Sequence, residues 1–141
     1  NEIDGIDALE SAHTNVQIHK FPYRDGVNLA DLVTGSCIIA LPFRKHSIHP
    51  QLAIAESLSA GIPVITSDLC SASELVQDGK TGRVVPVGDV QATTGAIDQL
   101  LADTDGTKAM GVDASETMKN EWGWDHYVEE ITKVYEMVVS P

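Results

Sequence analysis

Residues 53–68 read AIAESLSAGIPVITSD. Together with Leu52, the apolar positions Ala53, Ile54, Ala55, Leu58 and Ala60 lead up to Gly61, a helix-stop residue. Pro63 then opens the short apolar run of Val64 and Ile65. A helix, a glycine, a proline and a short apolar run are the succession expected where a helix feeds a strand buried in a parallel sheet. Glu56 is the only charged residue from Ile48 to Ser67. At about 100° per residue it falls between Leu52 and Ala60, not on a polar face. A helix apolar nearly all round is expected to be buried. Burying an unpaired carboxylate is costly, so Glu56 is expected to be partnered, by a buried arginine or as the cap of another helix, or to line a cleft.

The same pattern continues on both sides. Upstream, CIIAL at 37–41 is a continuous apolar run ended by Pro42, as for a strand buried on both faces. Before it stand a surface helix over 1–13 carrying Ile3, Ile6, Leu9 and Ala12, and a strand over 16–21. A short helix over 28–34 follows, with Leu29, Leu32 and Val33 facing inward. Downstream, 63–67 reads as a strand, and Ser71 three residues before Glu74 is a capping-box signature for a short helix through Val76. QDGKTG at 77–82 is turn chemistry, with Gly79 and Gly82 free to take positive φ. RVVPV at 83–87 is another strand. Asp89 caps a helix bearing Val90, Ala96, Ile97, Leu100 and Leu101, and a weaker helix covers 107–120. Asp125 caps the last helix, whose stripe is Tyr127, Val128, Ile131, Val134, Tyr135 and Val138. Strands alternating with helices predict an α/β fold, a parallel sheet covered on both faces. No repeat or low-complexity linker interrupts it, so residues 1–141 are expected to form one domain.

Composition narrows the partners. The formal net charge of −12, with no basic stripe, has the wrong sign for gripping nucleic acid or anionic lipid. Residues 48–67 are long enough to span a bilayer, but Pro50, Gln51, Gly61 and Pro63 break them, so no transmembrane segment is expected. Cys37 and Cys70 lack zinc spacing and read as buried, reduced thiols. GKT at 79–81 is not a P-loop, because the glycine required five residues before Gly79 is Glu74. No G-x-G-x-x-G is present. His46 and His49 precede a proline and have no third ligand in view, so no metal site is expected. Trp122 and Trp124 read as core packing before a sugar platform. The chain starts at Asn1 rather than Met, so a longer parent is expected.

In an open parallel sheet, ligands collect where strands end and loops lead into helix N-termini. CIIALPFRKHSIHPQLAIAE at 37–56 is such a unit, with Pro50 suited to the first helical turn. The amides of Gln51, Leu52 and Ala53, backed by the helix dipole, make an anion site. Glu56, one to two turns deeper, is placed to accept from ligand hydroxyls. Phosphate at the helix tip and hydroxyls at a carboxylate describe the diphosphate and ribose of a nucleotide. Arg44 and Lys45 sit in the same loop.

Three segments carry a resemblance to a known family: HPQLAIAESLSAGIPVITSD, then SELVQDGKTGRVVPVGD, then WGWDHYVEEITKVYEMV. In this order and spacing they resemble the C-terminal, donor-binding half of GT-B retaining glycosyltransferases of the large family-four group, over about residues 16–138. The resemblance implies a Rossmann-like three-layer parallel sheet with helices on both faces, one half of a GT-B fold without its first strand. It implies diphosphate at the helix N-terminus and ribose hydroxyls at Glu56. It places Ile48 where the family carries the first glutamate of its glutamate-x7-glutamate motif, and Gln51 where a glycine is usual. Ser47 or His49 would then make the sugar contact. The implied partners are a nucleotide-sugar donor and an N-terminal acceptor domain of the parent chain. No metal or other cofactor, and no catalytic residue within this half, is implied; the expected location is cytoplasmic, with peripheral membrane association open to the parent. The other class of reading is a non-catalytic nucleotide or sugar-phosphate binding module.

Overall fold

A computed structural model describes residue 9 and residues 12–19, 26–45 and 51–139. Contacts divide the chain into two compact units, Asn1–Leu32 and Val33–Pro141. In the first, the expected helix over 1–13 lies mostly outside the described residues, and residues 16–19 form no strand. Alternating residues make a strand only where a neighbouring edge takes up their backbone bonds. Asn28 Oδ1 accepts from Ala30 N at 3.0 Å and caps α1 (Leu29–Thr34), which crosses the unit boundary. Of the inner face expected for this helix, Leu29 and Leu32 are exposed and Val33 is half-buried.

The second unit is built on three parallel strands, β1 (Ile39–Leu41), β2 (Val64–Ser67) and β3 (Gly82–Val85), side by side in that order. Ile39 pairs with Val64, and Val64 with Gly82. Parallel neighbours require crossovers. Here these are α2 (Leu52–Ser59) between β1 and β2, and the four-residue α3 (Cys70–Ser73) between β2 and β3. The short helix expected through Val76 is shorter still: α3 begins at Cys70 and ends at Ser73, and the Ser71 side chain of the expected capping box lies outside the described residues. Three longer helices follow, α4 (Val90–Ala102), α5 (Thr104–Glu121) and α6 (Trp124–Val139).

Side chains alternate across β2 and build a layer on each face. Val64 packs with Ile54 and Leu58 of α2, Ala72 of α3, and Ala114 and Met118 of α5. Ile65, with Val85 of β3, packs against Ala96 and Leu100 of α4. All four residues of β2 are buried, the polar Thr66 and Ser67 along with Val64 and Ile65, as in a central strand covered on both faces. β1 departs from expectation: Ala40 is exposed and its neighbours only half-buried. Among the described residues β1 bonds to β2 alone and stands at the edge of the sheet.

Two glycines hold the crossovers. Gly61, at φ +76°, ends α2 in a Schellman turn, its N–H donating to Leu58 O and that of Ile62 to Ser57 O, both at 3.0 Å. Gly82 does not take the positive φ expected from its turn. It lies in β3, where an added Cβ would collide with the Val64 carbonyl and crowd Val76 Cγ1 at 2.9 Å. Gly82→Ala is therefore expected to cost roughly 1–3 kcal/mol, read as a shift of the urea midpoint with unchanged slope.

Two helix starts follow from local chemistry. Asp89 Oδ1 accepts from Ala92 N at 2.9 Å and caps α4 as expected. Asp103 Oδ1 does the same for Gly106 N at 2.9 Å, which moves the start of α5 ahead of Thr107. Asp125 is not a cap: α6 starts one residue earlier, leaving it in the first turn. The apolar stripe of α6 is uncovered, with Ile131 half-buried and the other five positions exposed. Trp122 and Trp124 are 45% and 80% exposed rather than core, and Cys37 is exposed rather than buried. No helix among the described residues is long and apolar enough to cross a membrane.

Candidate functional site

The carboxyl end of β1 runs through Pro42 into the loop that leads to α2. Gln51 is the N-cap, with extended φ −77° and ψ 91°, so α2 proper starts at Leu52 and Pro50 falls just ahead of the cap. The Gln51 side chain makes no capping bond, while its carbonyl accepts from Ile54 N at 3.0 Å and Ala55 N at 3.1 Å. The Leu52 and Ala53 amides are left without a hydrogen bond among the described residues. The first turn also carries no acidic side chain to neutralise the dipole. Two free N–H groups and a partial charge of roughly +0.5 at a helix N-terminus bind anions.

Glu56 shares a face of α2 with Leu52, Ala53, Ser59 and Ala60, and all five are exposed. This reverses the expectation of a helix buried nearly all round. The sheet, α3 and α5 cover only the face bearing Ile54, Ser57 and Leu58. Apolar composition on the other face, down to a 65% exposed Leu52, does not by itself bring a covering layer. The Glu56 carboxylate has no ion pair or hydrogen bond among the described residues. The structural roles weighed for it, ion pairing with a buried arginine or capping another helix, are thus absent there. It stands about 6 Å along the axis from Leu52, at 1.5 Å per residue. An anion held at the tip and a hydroxyl pair held at Glu56 would lie on one open helix face.

Arg44 and Lys45 are exposed and form no ion pair among the described residues. Ser47 and His49, with Ile48 between them, lie outside the described residues. Sequence reasoning missed a second concavity at this end of the sheet. Pro42 and Arg44 after β1, with Gly88, Asp89, Val90, Thr93 and Thr94 around the start of α4, enclose about 250 Å³. Asp89 was legible only as a cap; nothing in the sequence showed that the loop after β1 would stand beside it.

Against known proteins, the family described as "Glycosyl transferases group 1" matches residues 4–103, well over half of the chain. The chain belongs to this family. It is 42% identical over 69 residues to the GDP-mannose-dependent alpha-(1-6)-phosphatidylinositol monomannoside mannosyltransferase of Mycolicibacterium smegmatis, covering 49% of this chain and 18% of that protein. Its similarity to D-inositol 3-phosphate glycosyltransferase of Gordonia bronchialis is 31% over 114 residues, covering 81% of this chain and 24% of the relative. The group 1 chain thus spans about a fifth to a quarter of these relatives. Among solved structures, sucrose-phosphate synthase from Thermosynechococcus elongatus superposes with a TM-score of 0.75 at 21% identity, over 96% of this chain and 33% of the other. Anabaena HepE, crystallised in complex with UDP, gives 0.67 at 20% identity, over 75% and 29%. The likeness is one of fold: an α/β GT-B glycosyltransferase domain.

Proposed function

We propose that residues 1–141 act as a single domain that binds the nucleotide-sugar donor of a retaining glycosyltransferase, the C-terminal half of a GT-B pair. The observation that carries this reading is the open face of α2, where, among the described residues, two amides at its tip are unbonded and an exposed Glu56 one turn below has no partner. In this reading Gln51, Leu52 and Ala53 receive the diphosphate, and Arg44 and Lys45 add positive charge from the loop. Glu56 accepts from the ribose hydroxyls, and Ser47 or His49 meets the sugar. The chemistry needed is charge stabilisation of the leaving diphosphate, which aligned amides and basic side chains supply without a metal. An N-terminal acceptor domain of the parent completes the cleft, and the location is cytoplasmic. The choice of ligand class is supported by a relative named for GDP-mannose and by a protein of like fold crystallised with UDP.

The 141-residue chain is expected to bind UDP or GDP in a calorimeter and to transfer no sugar. Positioning of an acceptor and exclusion of water come from closure against a second domain. Turnover of a nucleotide sugar above its hydrolysis in buffer would overturn this expectation. One residue favours a second reading, a non-catalytic nucleotide or sugar-phosphate binding module. Ile48 stands where the family's first glutamate would hold the sugar, and its side chain cannot hydrogen-bond. In the parent, His49→Ala separates the two readings. A loss confined to the nucleotide sugar supports the transferase, and no loss for sugar or plain diphosphate supports the module.

A further inference from the structure

The concavity between the loop after β1 and the start of α4 has the chemistry of a sugar subsite. At about 250 Å³ it is smaller than the roughly 300–1,000 Å³ typical for drug-sized ligands. It suits a single ring. Pro42 and Val90 give it apolar wall, and Arg44 and Asp89 set a donor fork and an acceptor on its rim. Asp89 uses Oδ1 for the Ala92 amide, so its other carboxylate oxygen remains to accept from a ligand hydroxyl. Arg44 and Asp89 are not ion-paired with each other. The Thr93 and Thr94 hydroxyls donate to Asp89 O and Val90 O at 2.8 and 2.9 Å, which leaves their oxygens as acceptors. A guanidinium, a carboxylate and hydroxyl acceptors beside an apolar wall match a ring that presents C–H faces and hydroxyl edges at once.

We propose that this concavity binds one pyranose ring, with Asp89 accepting from its hydroxyls and Arg44 donating to them. This deepens the donor-binding reading and rests on it only for which ring is bound: the ring to be transferred or the ring that receives it. It also gives the chain a sugar contact that does not depend on the glutamate position occupied by Ile48.

The test is an amide NMR titration of the chain with methyl α-D-glucopyranoside and methyl α-D-mannopyranoside. Either glycoside should move the amides of Gly88, Val90, Thr93 and Thr94. Asp89→Asn keeps the α4 cap, since an amide oxygen also accepts from Ala92 N, yet should weaken glycoside binding roughly tenfold or more. Thr94→Trp, which fills the concavity, should abolish it. UDP alone should instead move Leu52 and Ala53. If UDP moves nothing while a glycoside still perturbs residues 88–94, the donor reading fails and the sugar subsite stands. UDP-glucose or GDP-mannose displacing the glycoside assigns the ring to the donor, and glycoside binding beside saturating nucleotide sugar assigns it to the acceptor. The absence of glycoside-dependent shifts at residues 88–94, or shifts unchanged in both variants, would overturn the proposal.

Discussion

Glu56→Gln is expected to weaken binding of UDP or GDP by about 1.5–3 kcal/mol, the range for a hydrogen bond to a charged group. That is roughly a 10- to 150-fold rise in Kd. The melting temperature should stay where it was. Glutamine keeps the length of the side chain and nearly the same helix propensity. The wild-type carboxylate makes no ion pair or hydrogen bond within the described residues, so folding loses nothing when the charge goes. What changes is the acceptor offered to vicinal ribose hydroxyls: two charged oxygens become one neutral oxygen and an N–H₂ donor. Calorimetric titration paired with a thermal scan checks both halves. A collapsed melting point with unchanged Kd would make Glu56 a structural residue and remove the carboxylate from the site.

How much of this was legible in the sequence depends on whether the signal was local. The α4 cap at Asp89 and the strand at Val64 and Ile65 came through because capping chemistry and a short apolar run act over a few residues. The turn at Gly61 came through for the same reason. Burial was read less well. Periodicity shows which face of a helix is apolar, but whether another layer covers that face depends on the rest of the fold. Thus α2 has an open side that its composition hides, and α6 exposes Tyr127, Val128, Val134, Tyr135 and Val138 although they form a regular stripe. Trp122 and Trp124 fail in the same way. Trp124 instead makes an edge-on contact with Tyr127, centroids 5.6 Å apart, on the surface. For Glu56 the premise of burial was wrong; the tip-to-carboxylate spacing is local to one helix, and the ligand role proposed for the residue rests on that spacing and on its exposure.

Ile54→Ala, two residues from Glu56, is expected to have the opposite signature. Ile54 is 0% exposed and packs in the cluster that joins α2 to Val64, α3 and α5. Truncating it removes buried methyl and methylene groups and leaves a cavity whose walls, β2 and the close-packed α5, have little room to collapse. Large-to-alanine changes at such sites cost about 2–5 kcal/mol. In a domain whose whole stability is roughly 5–15 kcal/mol, that is a lowering of the melting temperature on the order of 10 °C. Nucleotide affinity, measured where the variant is still folded, should hold, because Ile54 faces away from the open side and its amide is already bonded to Gln51 O at 3.0 Å. One helix would then separate into two faces by experiment, one that holds the fold and one that holds the ligand. An Ile54→Ala protein that melts normally, or that loses nucleotide affinity as Glu56→Gln does, would mean that the two faces are not independent and that the site extends through the core.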